Sequence, residues 1–488
     1  MTDVRPEDGA ITGPEEPTSV SLERTPRHAV PLPRDLGHVA LVALVLLCGL
    51  TLAIGFANKD RCVGPTFDQM GRSVDFALRS ERDDCYSDIQ FLWIGRDIDR
   101  HVFPYADGGI GDHGNLVGGS VEYPVLTGLV MWAGAILAHD DGQYLLYSSL
   151  ILAPFGLLTA WLLGRLTRWR ALLWAIGSPL VLYAFHNWDL PVVACAVAAF
   201  YVVHRGWGRA GANRSLVGRG VVAAVLLGLG FAFKLYPAIF VLPLMLYVAT
   251  GGPGGRDLPS GRRWNVRGAL LVGATTVATV VLVNLPFMLV GFAGWKASFT
   301  FQEMRKVDIT TNSIWYWGFR PFSNPGNTNF QDIVDVLSPA LILVTFVVAC
   351  VLGWRRYRGE GTYPWVAVSA AMLCGFLLFH KVHSPQYTLW LIPMFALLRV
   401  RWVWIALYYV ADAALGIGFF RYFYAVNFHR PFGIDDGLAA QATVVGVWGR
   451  AALLAVLFFA FLASRETTEE MDTSPAAAAR RTELEPAT

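Results

Sequence analysis

Long apolar runs alternate with short polar stretches along the chain from residue 37 to residue 463. An α-helix needs about 20 mostly apolar residues to cross the hydrocarbon core of a bilayer. The runs therefore predict an all-α polytopic membrane protein with about 12 to 13 membrane segments. The candidate segments are 37–57, 121–138, 144–163, 171–186, 189–204, 218–235, 237–250, 268–290, 333–353, 363–380, 386–399, 402–420 and 439–463.

The composition agrees with a membrane protein and argues against a nucleic-acid partner. Of 488 residues, 54% are hydrophobic and 16% are charged, whereas soluble proteins carry about 25% charged residues. The net charge is +2, and no basic stripe interleaves with aromatic residues. The polar ends 1–36 and 464–488 lack apolar runs, so we expect disordered cytoplasmic tails on either side of one membrane domain, 37–463.

Arginine is concentrated in one set of loops. Short loops rich in Arg and Lys stay in the cytoplasm, and here they include "GRLTRWR", "GRDLPSGRRWNVR", "GWRRYR" and "RVRW". The other loops should face the extracytoplasmic side of the plasma membrane, and they hold most of the unusual polar residues. These loops are 58–120, 186–189, 234–237, 291–332, 380–386 and 420–438.

The number of candidate segments conflicts with this assignment of loops to the two sides of the membrane. If segments 121–138 and 144–163 both crossed fully, the Arg-rich loop at 165–170 would lie outside the cytoplasm. We therefore expect one segment between 121 and 204 to be partial or re-entrant, which is tolerated where it lines a protein cavity.

The cysteines also bear on which compartment the long loop faces. Four of the six lie in apolar runs, where a small buried hydrophobic residue is expected. Cys62 and Cys85 share the loop 58–120. A disulfide between them would fit an oxidising compartment, but two free thiols fit the spacing equally well.

The loop 58–120 is far longer than a plain connection. Its stretches "FDQMGRSVDFALRS" and "IQFLWIGRDIDRHVF" predict short helices at the membrane surface, and a Gly-rich segment follows. In "DDCYSDIQFLW" the carboxylate of Asp88 comes directly before an apolar run, and in "VEYPVLTG" Glu122 stands at the mouth of the next segment. Both carboxylates are therefore expected at one face of the bilayer.

These features resemble the integral-membrane GT-C glycosyltransferases, and most closely the polyprenyl-phosphate-sugar-dependent family 87 (DUF2029). That family carries its catalytic Asp in the first outward loop, in a context similar to "SDIQFLW". Its Tyr-Pro-Pro motif corresponds to "EYPVLTG", which departs from it by Val125 and adds Glu122. Three later stretches, "FKLYP", "TTNSIWYWGFRP" and "HKVHSPQYTLWLIP", resemble family motifs in the same order along the chain.

The resemblance implies a GT-C-like fold and a specific reaction. The enzyme would transfer mannose or arabinofuranose from a polyprenyl-phosphate donor to a cell-envelope glycan or glycolipid. No cofactor is expected, and no His and Asp residues have the spacing of metal ligands. Asp88 would be the general base, with Glu122 as the second catalytic candidate. The implied donor-phosphate ligands are Lys234, Arg320, Lys381 and His383, and the implied substrate-binding residues are Tyr123, Asp189, Asn312, Ser313, His380 and Gln386.

Several of these residues also have a purely structural interpretation. Asp88 or Asp189 could cap a helix, Glu122 could pair with an arginine such as Arg96, and Lys234 could extend into the interface as an anchor. Asp83 and Asp84 are expected to be a solvated pair or a helix cap. The rival function is a transporter or flippase of lipid-linked sugars, which predicts inverted repeats and charged residues at mid-membrane. We expect neither, and a ligase that moves whole oligosaccharides is a third possibility.

The charge pattern predicts the side on which each loop lies. A single cysteine at Gly109, in a chain without Cys62 and Cys85, should react with an impermeant thiol reagent in intact cells, and one at Ser260 should not. Labelling at Ser260 but not at Gly109 would invert the topology and contradict the assignment.

Overall fold

A computed structural model describes residues 36–205 and 215–467, together with Thr2. The two tails expected at 1–36 and 464–488 therefore lie almost wholly outside the described residues. Helices dominate the described chain. In order, the first ten are α1 (His38–Asp60), α2 (Phe76–Arg82), α3 (Asp88–Gly95), α4 (Val125–Ala135), α5 (Asp141–Thr167), α6 (Leu172–Ala175), α7 (Ser178–Tyr183), α8 (Leu190–Arg205), α9 (Leu216–Phe233) and α10 (Val241–Ala249).

The second half of the chain continues the pattern. Short 3-10 turns (Arg168–Ala171, Tyr236–Phe240, Pro253–Gly255 and Pro385–Tyr387) join or precede several helices. The remaining helices are α11 (Val266–Val290), α12 (Phe292–Met304), α13 (Ile314–Gly318), α14 (Thr328–Glu360), α15 (Trp365–Phe379), α16 (Thr388–Leu397), α17 (Trp402–Asn427) and α18 (Leu438–Ala463).

The predicted fold class, an all-α polytopic membrane protein, is confirmed. Within the described ranges, eight helical stretches are long and apolar enough to cross a membrane, and α4, α8 and α15 are shorter apolar helices. The 12 to 13 segments predicted from the sequence also include shorter apolar helices and interrupted ones, such as α6 and α7. The eight long stretches are His38–Asp60, Asp141–Ala175, Leu216–Phe233, Tyr236–Gly255, Val266–Val290, Thr328–Glu360, Trp402–Asn427 and Leu438–Ala463.

Burial separates an inner group of helices from an outer one. Every residue of α16 is buried, as are most residues of α8 and α15. In contrast, α1, α11 and α14 expose many Leu, Val and Ile side chains. A helix that is apolar on all sides is either enclosed by protein or surrounded by lipid. The short inner helices are the first case, and the outer helices present the surface that a bilayer would cover.

The loops are sorted between two ends of the bundle, about 40 Å apart along the 27 residues of α5. At the Arg-rich end, arginines donate hydrogen bonds to the carbonyl groups that close helices. The Arg170 guanidinium reaches the Phe395 and Leu398 carbonyls at 2.6 and 3.0 Å, and Arg356 reaches the Ser464 carbonyl at 2.6 Å. Arginine therefore satisfies acceptors that the C-terminal turns of α16 and α18 leave without a partner.

The partial segment required by the charge pattern is α4. Its 11 residues extend only about 16 Å, which is too short to cross about 30 Å of hydrocarbon. The chain leaves α4 at the end where it entered, because the Asp141 amide donates to the Gly71 carbonyl at 2.8 Å. The Arg-rich loop at 165–170 therefore lies at the end opposite the long loop.

Two charged residues lie deep in the bundle, and here the sequence-based expectation of no mid-membrane charge was wrong. Arg450 of α18 and Asp412 of α17 are almost wholly buried, and their Nη1 and Oδ1 atoms are 3.2 Å apart. The Thr388 hydroxyl also donates to Asp412. The two charges form one paired, hydrogen-bonded group, which is the usual condition for burying them.

The long loop is a folded unit attached to the bundle. A disulfide joins Cys62 to Cys85, so the pairing that the spacing left open is formed. Only part of each stretch predicted as a surface helix is helical, in α2 and α3. The Gly-rich segment forms a two-stranded antiparallel hairpin of β1 (Gly109–Ile110) and β2 (Leu116–Val117). Asp84 pairs with Arg421 of α17 at 2.9 Å, so it is not the freely solvated residue that we expected.

Candidate functional site

A cavity of about 710 Å³ opens at the end of the bundle that carries the long loop. Its walls come from α2, α3, the loop 186–187, the C-terminal end of α12, the turn 384–387 and α17. These segments belong to the loops that the charge pattern placed on one functional face. The cavity is therefore where their polar residues meet.

Asp88 is placed by the local sequence around it. Ser87, and not Asp88, caps α3, because the Ser87 Oγ accepts from the Ile89 amide at 3.2 Å. The same hydroxyl donates to the Phe185 carbonyl at 2.6 Å, and the Asp88 amide donates to the His186 carbonyl at 2.8 Å. These bonds fix the first turn of α3 against the loop before α8 and leave the Asp88 carboxylate without a capping role.

The Asp88 carboxylate lies in the cavity wall with 21% of its side chain exposed. The Tyr86 hydroxyl donates to its Oδ1 at 2.8 Å, and the Asn187 amide donates to its Oδ2 at 2.6 Å. Nε2 of His186 lies 4.0 Å from the same Oδ2. Each carboxylate oxygen is thus held by one neutral donor.

The neighbours of Asp88 are themselves fixed. Burial and the charge of Asp88 raise the pKa of Tyr86 well above its usual value. The phenol therefore stays protonated and donates a hydrogen bond to Asp88. Burial lowers the pKa of His186 well below its usual value, so the ring is neutral. The Asn187 amide nitrogen also donates to the Tyr123 hydroxyl at 2.7 Å, and its oxygen accepts from the Trp188 amide at 2.6 Å.

Glu122 lies in the cavity wall but is engaged by an arginine. Its two carboxylate oxygens accept from the Arg96 Nε and Nη2 at 2.6 and 3.1 Å, a bidentate pair. The Arg96 guanidinium also lies over the Phe301 ring, 5.5 Å from the ring centroid. The alternative weighed from the sequence, a Glu122–Arg96 ion pair, is therefore formed.

Lys234 forms an ion pair at the inner wall of the cavity. Its ammonium lies 2.9 and 3.0 Å from the two carboxylate oxygens of Asp189, and the Trp390 indole donates to Asp189 Oδ1 at 2.7 Å. The ammonium also lies 5.4 Å from the centre of the Tyr123 ring. Lys234 is 7% exposed, so it is enclosed by protein and does not extend into the membrane interface.

The structure brings about half of the predicted site residues to the cavity. Asp189 does not line the cavity but lies next to Lys234, with its carboxylate directed at the ammonium. The residues that line the cavity itself are Asp88, Glu122, Tyr123, Lys234, Asn312 and Gln386.

Five predicted residues lie outside the cavity lining. Arg320 contacts the Tyr422 hydroxyl at 3.2 Å and the Trp317 ring, and Lys381 pairs with Asp335 at 2.7 Å. The imidazole rings of His380 and His383 contact the Val382 and Leu377 carbonyls, at 2.6 and 2.8 Å. Ser313 is buried, 3.5 Å from the Thr311 hydroxyl.

Two cavity cations were missed by the sequence analysis. Arg305 and Lys306 follow α12 and line the cavity. Lys306 contacts the Pro325 carbonyl at 3.3 Å, whereas the Arg305 guanidinium has no side-chain hydrogen bond or ion pair with any residue in the described ranges. The adjacent Arg-Lys in "QEMRKVD", in a loop already assigned to this face, was the available signal. Asn187 was missed too, because Asp189 was the only residue of "HNWD" considered as a site residue.

Among the described residues, no three His, Cys, Asp or Glu side chains lie close enough together to hold a metal ion. Four carboxylates line the cavity, those of Glu81, Asp88, Glu122 and Asp308, together with a group of cations. Of these, Asp88 is held by neutral donors and Glu122 forms the bidentate ion pair.

Comparison with known families gives one match that covers more than half of the chain. A family model described as Glycosyltransferase family 87 matches residues 122–385. The matched region includes Glu122, Lys234 and Arg305 and begins after Asp88. The search of curated proteins returned no match.

Two solved structures resemble the chain at low similarity. One is ArnT from Cupriavidus metallidurans bound to undecaprenyl phosphate, with 15% identity and a TM-score of 0.36, covering 86% of this chain and 78% of that one. The other is the archaeal oligosaccharyltransferase AglB from Archaeoglobus fulgidus, with an inhibitory peptide and a dolichol-phosphate. It has 12% identity and a TM-score of 0.38, and the match covers 86% of this chain and 56% of that one. Similarities of this size do not bear on substrate or mechanism.

The buried pair of Lys234 and Asp189 yields a test of stability. Lys234→Met leaves a buried carboxylate without its cation, and Asp189→Asn leaves a buried ammonium without its anion. Each should lower the free energy of unfolding by about 3–5 kcal/mol, and the double variant should lose less than the sum. Thermal unfolding of the purified protein in detergent measures this.

The matched control is the more exposed pair of Lys381 and Asp335. Lys381→Met should change stability by only about 0–1 kcal/mol. Strictly additive losses for the Lys234 and Asp189 variants would mean that the two charges do not depend on each other.

Proposed function

Because the chain belongs to glycosyltransferase family 87, we propose that its cavity transfers a sugar from a polyprenyl-phosphate donor to a cell-envelope glycan or glycolipid. The sugar proposed is mannose or arabinofuranose, which follows the family resemblance of the motifs. The observation that carries the proposal is the Asp88 carboxylate, which lies in the wall of a 710 Å³ cavity and is held on both oxygens by neutral donors.

Asp88 is proposed as the general base that takes the proton of the acceptor hydroxyl. A carboxylate has about four lone-pair positions, and Tyr86 and Asn187 occupy two of them. The remaining positions can accept from a hydroxyl group in the cavity. Fixing the carboxylate in advance favours proton transfer, because the base need not reorganise when the acceptor attacks the anomeric carbon.

The donor phosphate is proposed to bind at the cationic side of the cavity. Arg305 lines that side without a protein partner in the described ranges, next to Lys306, and Lys234 lies in the wall. An unpaired guanidinium can bind two phosphate oxygens at once. These cations would hold the charge of the departing polyprenyl phosphate. They replace Arg320, Lys381 and His383 in the assignment, since those three lie outside the cavity.

The active face is proposed to be extracytoplasmic, on a plasma membrane. Support comes from the Cys62–Cys85 disulfide, which lies in the loop that carries Asp88, since disulfides persist in oxidising compartments. The Arg-rich loops lie at the opposite end of the bundle, as expected for the cytoplasmic side.

A transporter without catalysis is less well supported. Such a protein would use exposed charges along a pathway at mid-membrane. The buried charges at that depth, Asp412 and Arg450, are paired with each other and lie outside the 710 Å³ cavity.

Replacing the proposed base should separate its role from those of its neighbours in sequence. Asp88→Asn is nearly isosteric but takes up no proton, so the transfer rate should fall by roughly 10²–10⁴. Asp83→Asn is the matched control, because Asp83 pairs with Arg82 away from the cavity. Steady-state transfer by purified protein in lipid measures the rates, and near-parental turnover of Asp88→Asn together with an inactive Glu122→Gln would move the base to Glu122.

The phosphate assignment predicts a difference between two arginines. Arg305→Gln should raise KM for the polyprenyl-phosphate sugar by roughly 10–100-fold, as expected for one lost charge-assisted hydrogen bond. Arg320→Gln should leave KM close to the parental value, because Arg320 lies outside the cavity lining. The reverse order of effects would return the phosphate to the Arg320 side of the molecule.

A further inference from the structure

A second, much smaller cavity adjoins the first. It has a volume of about 10 Å³ and lies between α15, α18 and the segment 312–314. Three polar side chains line it, Asn312, His383 and Arg450, which are 2%, 6% and 1% exposed. Asn312 also lines the main cavity, so it forms part of the wall between the two.

Four polar atoms around the small cavity have no hydrogen-bond partner among the residues that the structure describes. They are both amide atoms of Asn312, Nε2 of His383 and Nε of Arg450. Buried polar atoms are nearly always paired, either with protein or with an ordered water. Three such side chains converging on one cavity therefore indicate a bound partner.

The hydrogen-bonding pattern restricts the chemistry of that partner. Nδ1 of His383 lies 2.8 Å from the Leu377 carbonyl, which can only accept, so Nδ1 carries the hydrogen. In the neutral ring, Nε2 is then an acceptor. Nε of Arg450 is a donor, and the Asn312 amide offers one acceptor and one donor group. The cavity thus presents both donors and acceptors to its occupant.

We propose that one water molecule binds in this cavity and bridges Arg450, His383 and Asn312. Water can accept from Arg450 and donate to His383 while its remaining positions meet Asn312. A halide ion can only accept and would meet the lone pair of His383, and a metal cation would meet the Arg450 guanidinium. The volume of about 10 Å³ is the space that one water needs, and a buried water has two to four polar partners.

The water would make His383 and Arg450 positioning residues for Asn312. Arg450 is fixed by its ion pair with Asp412, and the His383 amide donates to the Thr311 carbonyl at 2.7 Å. Asn312 itself has a left-handed backbone, with φ of 51°. The water would contact the Asn312 side chain from the small cavity and keep it in a fixed position in the wall of the main cavity. Asn312 shares the lining of the main cavity with Arg305, so its consequence for donor binding rests on the function proposed for that cavity.

An experimental structure of the full chain in lipid nanodiscs tests the water directly. A map that resolves other buried waters should contain a peak about 2.7–3.2 Å from Arg450 Nε, His383 Nε2 and the Asn312 amide. The same structure in bromide buffer should show the same peak height. A cavity without a peak, a peak that exchanges for bromide, or a direct Arg450–His383 hydrogen bond would overturn the proposal.

Two substitutions at His383 test the positioning role. His383→Gln retains a group that can accept from the water, whereas His383→Phe does not. The Phe variant should lose the peak and raise donor KM by on the order of tenfold, the size of one lost hydrogen bond, with kcat unchanged. The Gln variant should keep both the peak and the parental KM.

Equal effects of the two variants, or a fall in kcat with KM unchanged, would contradict the positioning role. If the Phe variant does not fold, the peak in the parent and in His383→Gln still decides the question. The water peak is independent of turnover, so failure of the proposed glycosyl transfer would leave this result intact.

Discussion

The site depends on the hydrogen bonds that join the long loop to residues 185–187. The Ser87 hydroxyl and the Asp88 amide donate to consecutive carbonyls of that segment, those of Phe185 and His186, and Asn187 donates back to the Asp88 carboxylate. The first turn of α3 is therefore built against the start of α8. Without this contact Asp88 would lose the hydrogen bonds that hold its carboxylate in the cavity wall.

The same contact connects the polar side of the cavity to the inner helices. Asp189 follows Asn187 by two residues. Its carboxylate pairs with Lys234, at the end of α9, and accepts a hydrogen bond from the Trp390 indole of α16. The chain thus passes from the proposed base to the buried ion pair within one short segment. Charges in this region are placed by mutual hydrogen bonds, which offset part of the desolvation cost of burying them in an apolar bundle.

Much of the fold could be predicted from the sequence, because segment length and arginine placement are strong local signals. The long helices, the grouping of the loops and the need for a partial segment all follow from them. The identity of α4 as that segment could not be predicted, since it depends on where Asp141 meets Gly71. The paired Asp412 and Arg450 are visible in the sequence, but their mutual contact across two helices is not.

The site was predicted less completely, for a physical reason. Family motifs identify residue types and their order, but they do not show which way a side chain points. Asp88, Glu122 and Lys234 reach the cavity, whereas Arg320 and Lys381, which lie on the same face, turn to partners of their own. Arg305 has no such partner in the described ranges, and its only signal in the sequence was the adjacent Arg-Lys of "QEMRKVD".

The most direct test of the account is an experimental structure of the parent chain with an unreactive polyprenyl-phosphate sugar analogue and an acceptor. We predict that the acceptor hydroxyl lies about 2.6–3.2 Å from an Asp88 carboxylate oxygen. The donor phosphate should contact the Arg305 guanidinium. A structure that placed the hydroxyl against Glu122, or the phosphate outside the 710 Å³ cavity, would contradict it.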